Sequence, residues 1–157
     1  MLGSQGQELE RAEGLETVTL VYLDTSALIA LNDRSDRNHK AAASYFRHAA
    51  REGARFVLGR PVVVEYLDGV TKRVGKSDAL VRLRQIDSSA LWRVESDTDE
   101  DHARAREVFV QYDDHDIDMT DSLSFAIMER LRLGQAFTFD PDFETHGFER
   151  LPVTARR

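Results

Sequence analysis

Val18-Thr19-Leu20-Val21-Tyr22-Leu23 runs without a charge into Asp24, and Thr25-Ser26-Ala27-Leu28-Ile29-Ala30-Leu31 follows at once. The first six residues are β-formers with no polar alternation, so they read as a strand buried on both faces. A strand of that kind belongs to the middle of a parallel sheet covered by helices. The seven residues after Asp24 read as a turn into a short helix. This places a carboxylate at the carboxyl end of the most apolar strand, where open α/β sheets bind their ligands.

The rest of the chain repeats the alternation. Ser35-Asp36 offers caps for a helix through Arg51, with Ala42, Tyr45, Phe46 and Ala49 on one stripe and Gly53 as its stop. Phe56-Val57-Leu58 is a second strand. Gly59-Arg60-Pro61 breaks it and opens a helix to Val74, on which Val63, Tyr66, Leu67 and Val70 share a face. Ser77 caps a helix through Ile86, and Leu91 to Val94 is a third strand. Ser96 caps a helix from Asp97 to Tyr112. A polar loop covers 113–120, and a helix runs from Asp121 to Leu133 with Gly134 as its stop. Ala136 to Phe139 is a fourth strand ending at Asp140, and Leu151-Pro152-Val153 fits an edge strand. The fold class is therefore α/β, one domain with a mostly parallel central sheet flanked by helices. Residues 1–16 read as a flexible extension without the apolar region of a signal peptide, and 17–157 as the folded domain.

At 157 residues the chain has room for one core, and 41% apolar with 31% charged residues excludes global disorder. The absence of cysteine excludes disulfides, thiolate metal sites and cysteine nucleophiles and agrees with a cytoplasmic location. No apolar run approaches the ~18 residues of a membrane helix. The net charge of −7 is unevenly spread: residues 17–94 carry 13 bases and 8 acids, whereas 95–121 carry 2 bases and 11 acids. An acidic total argues against sequence-blind nucleic-acid binding, while the basic first half leaves room for a local phosphate-facing patch.

Four acids fall at element ends or on apolar helices far apart in sequence: Asp24, Glu65, Asp121 and Asp140. A parallel sheet can bring them to one edge, where their repulsion is relieved by protonation or by a divalent cation. Carboxylate and water ligands favour Mg²⁺ or Mn²⁺ and leave positions for phosphate oxygens, the setting of phosphodiester hydrolysis. Each acid also has a structural reading. Asp24 can cap the following helix, Asp121 can complement a helix dipole, Glu65 can pair with Arg60 or Lys72, and Asp140-Pro141-Asp142 can be a turn.

The set resembles the PIN-domain ribonucleases. Val21-Tyr22-Leu23-Asp24-Thr25-Ser26-Ala27-Leu28 is similar to their opening strand and acidic turn, and Val64-Glu65-Tyr66-Leu67 to the helix acid that follows. Thr120-Asp121-Ser122-Leu123-Ser124-Phe125-Ala126 resembles their later helix start. Phe137-Thr138-Phe139-Asp140-Pro141-Asp142-Phe143, then Gly147-Phe148, resembles their last acidic turn. Size and layout look most like the VapC-type toxins of bacterial toxin–antitoxin pairs. The resemblance implies an endoribonuclease dependent on Mg²⁺ or Mn²⁺, inhibited by a cognate antitoxin and usually a homodimer. By position it makes Asp24, Glu65, Asp121 and Asp140 the catalytic, metal-binding acids, with Ser26 and Asp142 as auxiliaries.

Rival readings are weaker on the residues. A haloacid-dehalogenase-type phosphatase wants a second Asp where Ser26 stands. A receiver domain wants a catalytic lysine, and only Lys40, Lys72 and Lys76 exist. A catalytically inactive PIN-like module that binds RNA or protein should lack one of the acids. Two basic groups, Arg34-Arg37-His39-Lys40 and Arg60-Lys72-Arg73-Lys76, suit either RNA phosphates or solvated helix ends. The loop Asp113 to Asp118 suits cations, a basic antitoxin segment or solvent. The five histidines lack zinc-type spacing, and Trp92 with the eight phenylalanines reads as core.

Overall fold

Strand β1 (Leu20–Leu23) is the middle of a five-stranded sheet in which every pairing is parallel, in the order β3-β2-β1-β4-β5. The other strands are β2 (Arg55–Gly59), β3 (Trp92–Glu95), β4 (Gln135–Phe137) and β5 (Glu149–Leu151). The coordinates are a computed structural model that describes residues 18–153; the extension read at 1–16 lies outside the described residues. Seven helices among those residues connect and cover the strands: α1 (Thr25–Asn32), α2 (His39–Arg51), α3 (Arg60–Arg73), α4 (Lys76–Ser88), α5 (Asp99–Gln111), α6 (Met119–Leu131) and the single turn α7 (Asp142–Thr145). None of the described helices is long and apolar enough to cross a membrane.

The core follows from the uncharged strand. Val21, Tyr22 and Leu23 are all buried, and Phe56, Val57, Leu58, Ala136 and Phe137 extend the layer to either side. Helix α2 lays Ala42, Tyr45, Phe46 and Ala49 on one face of it, with Tyr45 edge-on to Phe137 and Phe46 stacked on Phe56. Helix α6 covers the other side with Phe125, Ile127 and Met128, all fully buried. Seven of the eight phenylalanines join this core or pack on it; Phe109, on α5, is 45% exposed.

Polar contacts fix α6 against its neighbours. The Arg130 guanidinium donates to both carboxylate oxygens of Asp101 at 3.0–3.1 Å, to Glu95 at 3.0 Å and to the Ser96 carbonyl at 3.1 Å. Asp101 is almost fully buried, yet these bonds hold its carboxyl below the usual range against the opposing effect of burial. The same carboxylate accepts from the Thr98 backbone in the capping box that starts α5. On the far side, His146 stacks on Phe125 at 4.7 Å. Its Nε2 lies 2.7 Å from Glu129, and Tyr112 hydroxyl lies 2.8 Å from Nδ1. A carboxylate only accepts, so Nε2–H donates to Glu129, while Nδ1 shares a hydrogen bond with the Tyr112 hydroxyl. This histidine thus ties α5, α6 and the segment after α7 together.

Several boundaries differ from the sequence reading. Helix α2 begins at His39, not beside Ser35, because the carboxylates of Asp33 and Asp36 accept from the backbones of Ser35 and Asn38 and wind those residues into turns. Helix α5 is capped by Thr98 and not by Ser96, whose carbonyl and hydroxyl instead serve Arg130 and Arg60. Helix α6 opens two residues early, at Met119 behind an Asp118 cap. It ends at Arg132, which takes the left-handed conformation (φ 56°) expected at Gly134.

Gly59 closes β2 where no side chain fits: a Cβ there would lie 2.2 Å from the Tyr22 hydroxyl and 3.1 Å from Ile127. That hydroxyl is pinned by a 2.9 Å bond to Ser124 and cannot yield cheaply. Gly59→Ala is therefore expected to cost about 1–3 kcal/mol in urea denaturation. Gly69→Ala, in mid-α3 with open space around the added methyl, should gain roughly 0.5–1 kcal/mol. Equal effects from the two substitutions would contradict this packing.

A candidate metal centre at the carboxyl edge of the sheet

The register of β1 and β4 builds the site. Leu23 pairs with Phe137, and the Asp24 backbone donates to the Phe137 carbonyl at 3.1 Å, so the residues leaving the two strands stand side by side. Asp24 is buried and caps α1, its side chain accepting from the Ser26 backbone. Both readings of this acid, helix cap and edge carboxylate, describe the same residue.

Two hydroxyls clamp Asp24. Ser26 Oγ and Thr138 Oγ1 each donate to Oδ2 at 2.9 Å. Each hydroxyl is itself held by the outgoing β4 chain: Phe139 N–H donates to Ser26 Oγ at 2.9 Å, and Asp140 N–H to Thr138 Oγ1 at 3.0 Å. The bonds from these hydroxyls converge on Oδ2 and leave Oδ1 outside the clamp. They also couple the position of Asp24 to the backbone of Asp140.

Helix α6 delivers the next acid. Asp118 caps it by accepting from Asp121 N–H at 2.9 Å, which sets Asp121 in the first turn. The turn after β4 supplies two more, since Asp140 accepts from Asp142 N–H at 2.9 Å. Carboxylate oxygens of Asp121, Asp140 and Asp142 lie within 4.8 Å of one another. Glu65 stands outside this group, on the exposed face of α3 where it lines a cleft beside the pocket.

Crowding shows in the proton affinities. Burial first, then the charges of Asp118, Asp24 and Asp140, pushes the Asp121 carboxyl up to about 8. Burial and Asp140 raise Asp24 to about 6 despite its two hydroxyl donors. Asp142 is raised as well, by burial and then by Asp140. An all-oxygen set of this kind, short of protons or cations to balance it, fits a hard divalent ion with open positions for water and phosphate.

Sequence reasoning placed Asp118 only at the end of a polar loop and Thr138 only within a strand, and gave neither a role at the site. The first was visible as an acid three residues before Asp121, the spacing of an N-cap and its third helical residue. The second mirrors Ser26: one hydroxyl two residues after Asp24, the other two before Asp140.

Comparison with known proteins bears on the fold that carries this site. The family model described as PIN domain matches residues 21–149. The 23S rRNA-specific endonuclease VapC20 of Mycobacterium tuberculosis is 29% identical over 129 residues, spanning 82% of this chain and 95% of the relative. The crystal structure of VapC20, a sarcin–ricin loop cleaving toxin, superposes with a TM-score of 0.73 at 28% identity, covering 87% of this chain and 99% of that one. At 18% identity, VapBC2 from Rickettsia felis bound to a DNA fragment from its promoter shares the fold with a TM-score of 0.60, over 84% and 97% of the two chains.

Raised carboxyl values fix the sign of a pH effect. Folded Asp24 and Asp121 hold protons more tightly than an unfolded Asp, so between about pH 4 and pH 8 the native state binds more protons and stability falls as pH rises. In EDTA, the urea midpoint should be lower at pH 8 than at pH 5, and Asp121→Asn should flatten the difference. A midpoint that climbs with pH in the parent protein would rule out the crowded-acid account.

Proposed function

The chain belongs to the PIN-domain family, and we propose that it is an endoribonuclease that hydrolyses RNA phosphodiester bonds with Mg²⁺ or Mn²⁺. We further propose that it is the toxin of a toxin–antitoxin pair, acting in the cytoplasm as a homodimer and silenced by a cognate antitoxin. The observation that carries the reading is the cluster of Asp121, Asp140 and Asp142 at the carboxyl edge, with buried Asp24 beside it. Two further facts support the substrate and the partner. VapC20 carries the name of an RNA-specific endonuclease, and a similar fold from Klebsiella pneumoniae was solved as a toxin–antitoxin complex.

Residue roles follow from position. Asp121 and Asp140 hold the cation, and Asp142 stands as auxiliary ligand on the same turn as Asp140. Asp24 contributes from the strand end, held in one orientation by Ser26 and by Thr138. Glu65 lines the cleft on the exposed face of α3, outside the cluster of three. A bound divalent ion would polarise the phosphate and the attacking water and neutralise charge on the leaving oxygen, giving a 5′-phosphate and a 3′-hydroxyl. The chain's own work is to hold these carboxylates together against their repulsion, fixed and aimed at one point.

Purified protein, freed of any partner, is expected to cut RNA with Mg²⁺ or Mn²⁺ and to stop in EDTA. Asp24→Asn and Asp121→Asn should each lower the rate by at least about 100-fold. Thr138→Val should weaken Mn²⁺ binding by roughly 10–100-fold in calorimetry, with Thr138→Ser restoring most of it. In cells, induced expression should arrest growth, and Asp121→Ala should release the arrest. Cleavage that survives both EDTA and Asp24→Asn would refute the mechanism.

A further inference from the structure

One acid of the pocket depends on its helix for its place. The clamp ties Asp24 to the backbone of Asp140, and Asp142 sits on the same turn as Asp140. Among the described residues, no hydrogen bond joins the Asp121 carboxylate to any of these three. Asp121 stands where α6 carries it.

Arg130 holds α6 against sliding along its axis, but it lies nine residues beyond Asp121, about 13 Å along the helix. A tilt of roughly 4° about that far end would carry Asp121 by about 1 Å. A misplacement of about that size can cost about 100-fold in rate. Phe125, Ile127 and Met128 press the helix onto the sheet, but apolar burial has no preferred direction.

A directional tie exists closer to the pocket. Tyr22, two residues before Asp24 on β1, donates its hydroxyl proton to Ser124 Oγ at 2.9 Å, and Ser124 stands three residues after Asp121 on α6. Residues two apart on a strand share a face, and so do residues three apart on a helix. The bond therefore lies one step behind the acids, between the same two elements that present Asp24 and Asp121. It is the one hydrogen bond between β1 and α6 among the described residues.

Two features set this bond apart from an ordinary satisfied pair. Both partners are buried in an otherwise apolar layer, where a phenylalanine over an alanine would serve stability about as well. Strand β2 also gives up a side chain for it, since a Cβ on Gly59 would lie 2.2 Å from the hydroxyl. The hydroxyl thus occupies a socket made by β1, β2 and α6. A fully satisfied buried polar contact specifies one arrangement of such elements.

We propose that Tyr22 is a positioning residue: its hydroxyl, seated over Gly59 and bonded to Ser124, pins the first turns of α6 to β1 and sets Asp121 at the distance from Asp24 and Asp140 that a divalent ion requires. This role rests on the metal-dependent reading and adds a residue behind the pocket that fixes its dimensions. Tyr22 and Ser124 act only through Asp121.

Calorimetric titration of Mn²⁺ into the full chain without RNA, beside urea denaturation in EDTA, tests this. Tyr22→Phe and Ser124→Ala should each raise the Mn²⁺ dissociation constant about tenfold. The double variant should raise it no further than either alone, because both changes remove one bond. Stability should follow a different order. Ser124→Ala strands the tyrosine hydroxyl and lowers the urea midpoint; adding Tyr22→Phe removes that hydroxyl and should raise the midpoint again without regaining affinity. Ile86→Val, on α4 beside Trp92 of β3 and two strands from β1, should lower the midpoint and leave Mn²⁺ affinity unchanged. If the parent binds Mn²⁺ and the variants bind it equally well, the role of Tyr22 falls and the metal reading stands. Affinity that simply tracks the urea midpoint across the set, Ile86→Val included, also overturns the role, since the bond would then act through overall stability. A parent chain that binds no Mn²⁺ overturns both readings.

Discussion

Mutual repulsion among carboxylates governs this molecule. Asp24, Asp121, Asp140 and Asp142 come from three separate parts of the chain and meet where two parallel strands end. Left in water, such groups would separate; here the sheet register and two helix starts hold them in place. The clamp on Asp24 is the clearest sign of what that requires. Two hydroxyls converge on one carboxylate oxygen, and the backbone of the neighbouring strand end holds both hydroxyls. Even so, Asp24 sits near 6 and Asp121 near 8, so hydrogen bonds offset only part of the cost of burial and like charge. The stability of the remaining fold is what keeps the acids together.

That stability comes from the uncharged centre of the sheet and from the seating of α6. Helix α6 carries Asp121 at its start and the Arg130 contacts near its end. Arg130 locks it to α5 and to the end of β3 through a buried carboxylate, and His146 bridges it to the segment behind Asp142. A shift of α6 along its axis would break both sets of bonds. The first turn of the helix is therefore anchored by contacts made near its far end, and the acids it presents inherit that rigidity.

Much of this was legible in the sequence because burial and periodicity carry it. The uncharged strand before Asp24, the alternation of strands with helices, and acids at strand ends led to the parallel sheet and to an edge site. What the sequence did not reveal is local competition among polar groups. Ser35 and Ser96 look like caps, but Asp33 claims the Ser35 hydroxyl and the distant Arg60 claims that of Ser96. Arg132 takes a left-handed turn that glycine two residues on was expected to take. Thr138 stayed hidden in an apolar strand, since its partner is 114 positions away and only the β1–β4 register brings them together.

The uneven charge of the chain acquires a spatial meaning in this fold. The basic stretch 17–94 contributes α1, α3 and α4, and with the last two Lys72, Arg73 and Arg82, interspersed with Glu65, Asp68 and Asp78 along the cleft. The acidic stretch 95–121 contributes the α5 cap, the loop before α6 and Asp121 itself. A phosphate approaching the acids alone would be repelled. A divalent ion among the acids would reverse the sign of that local field. A net charge of −7 therefore says little about any one face, because screening limits each group's reach to about 8 Å at physiological salt, and what a ligand meets is the local field.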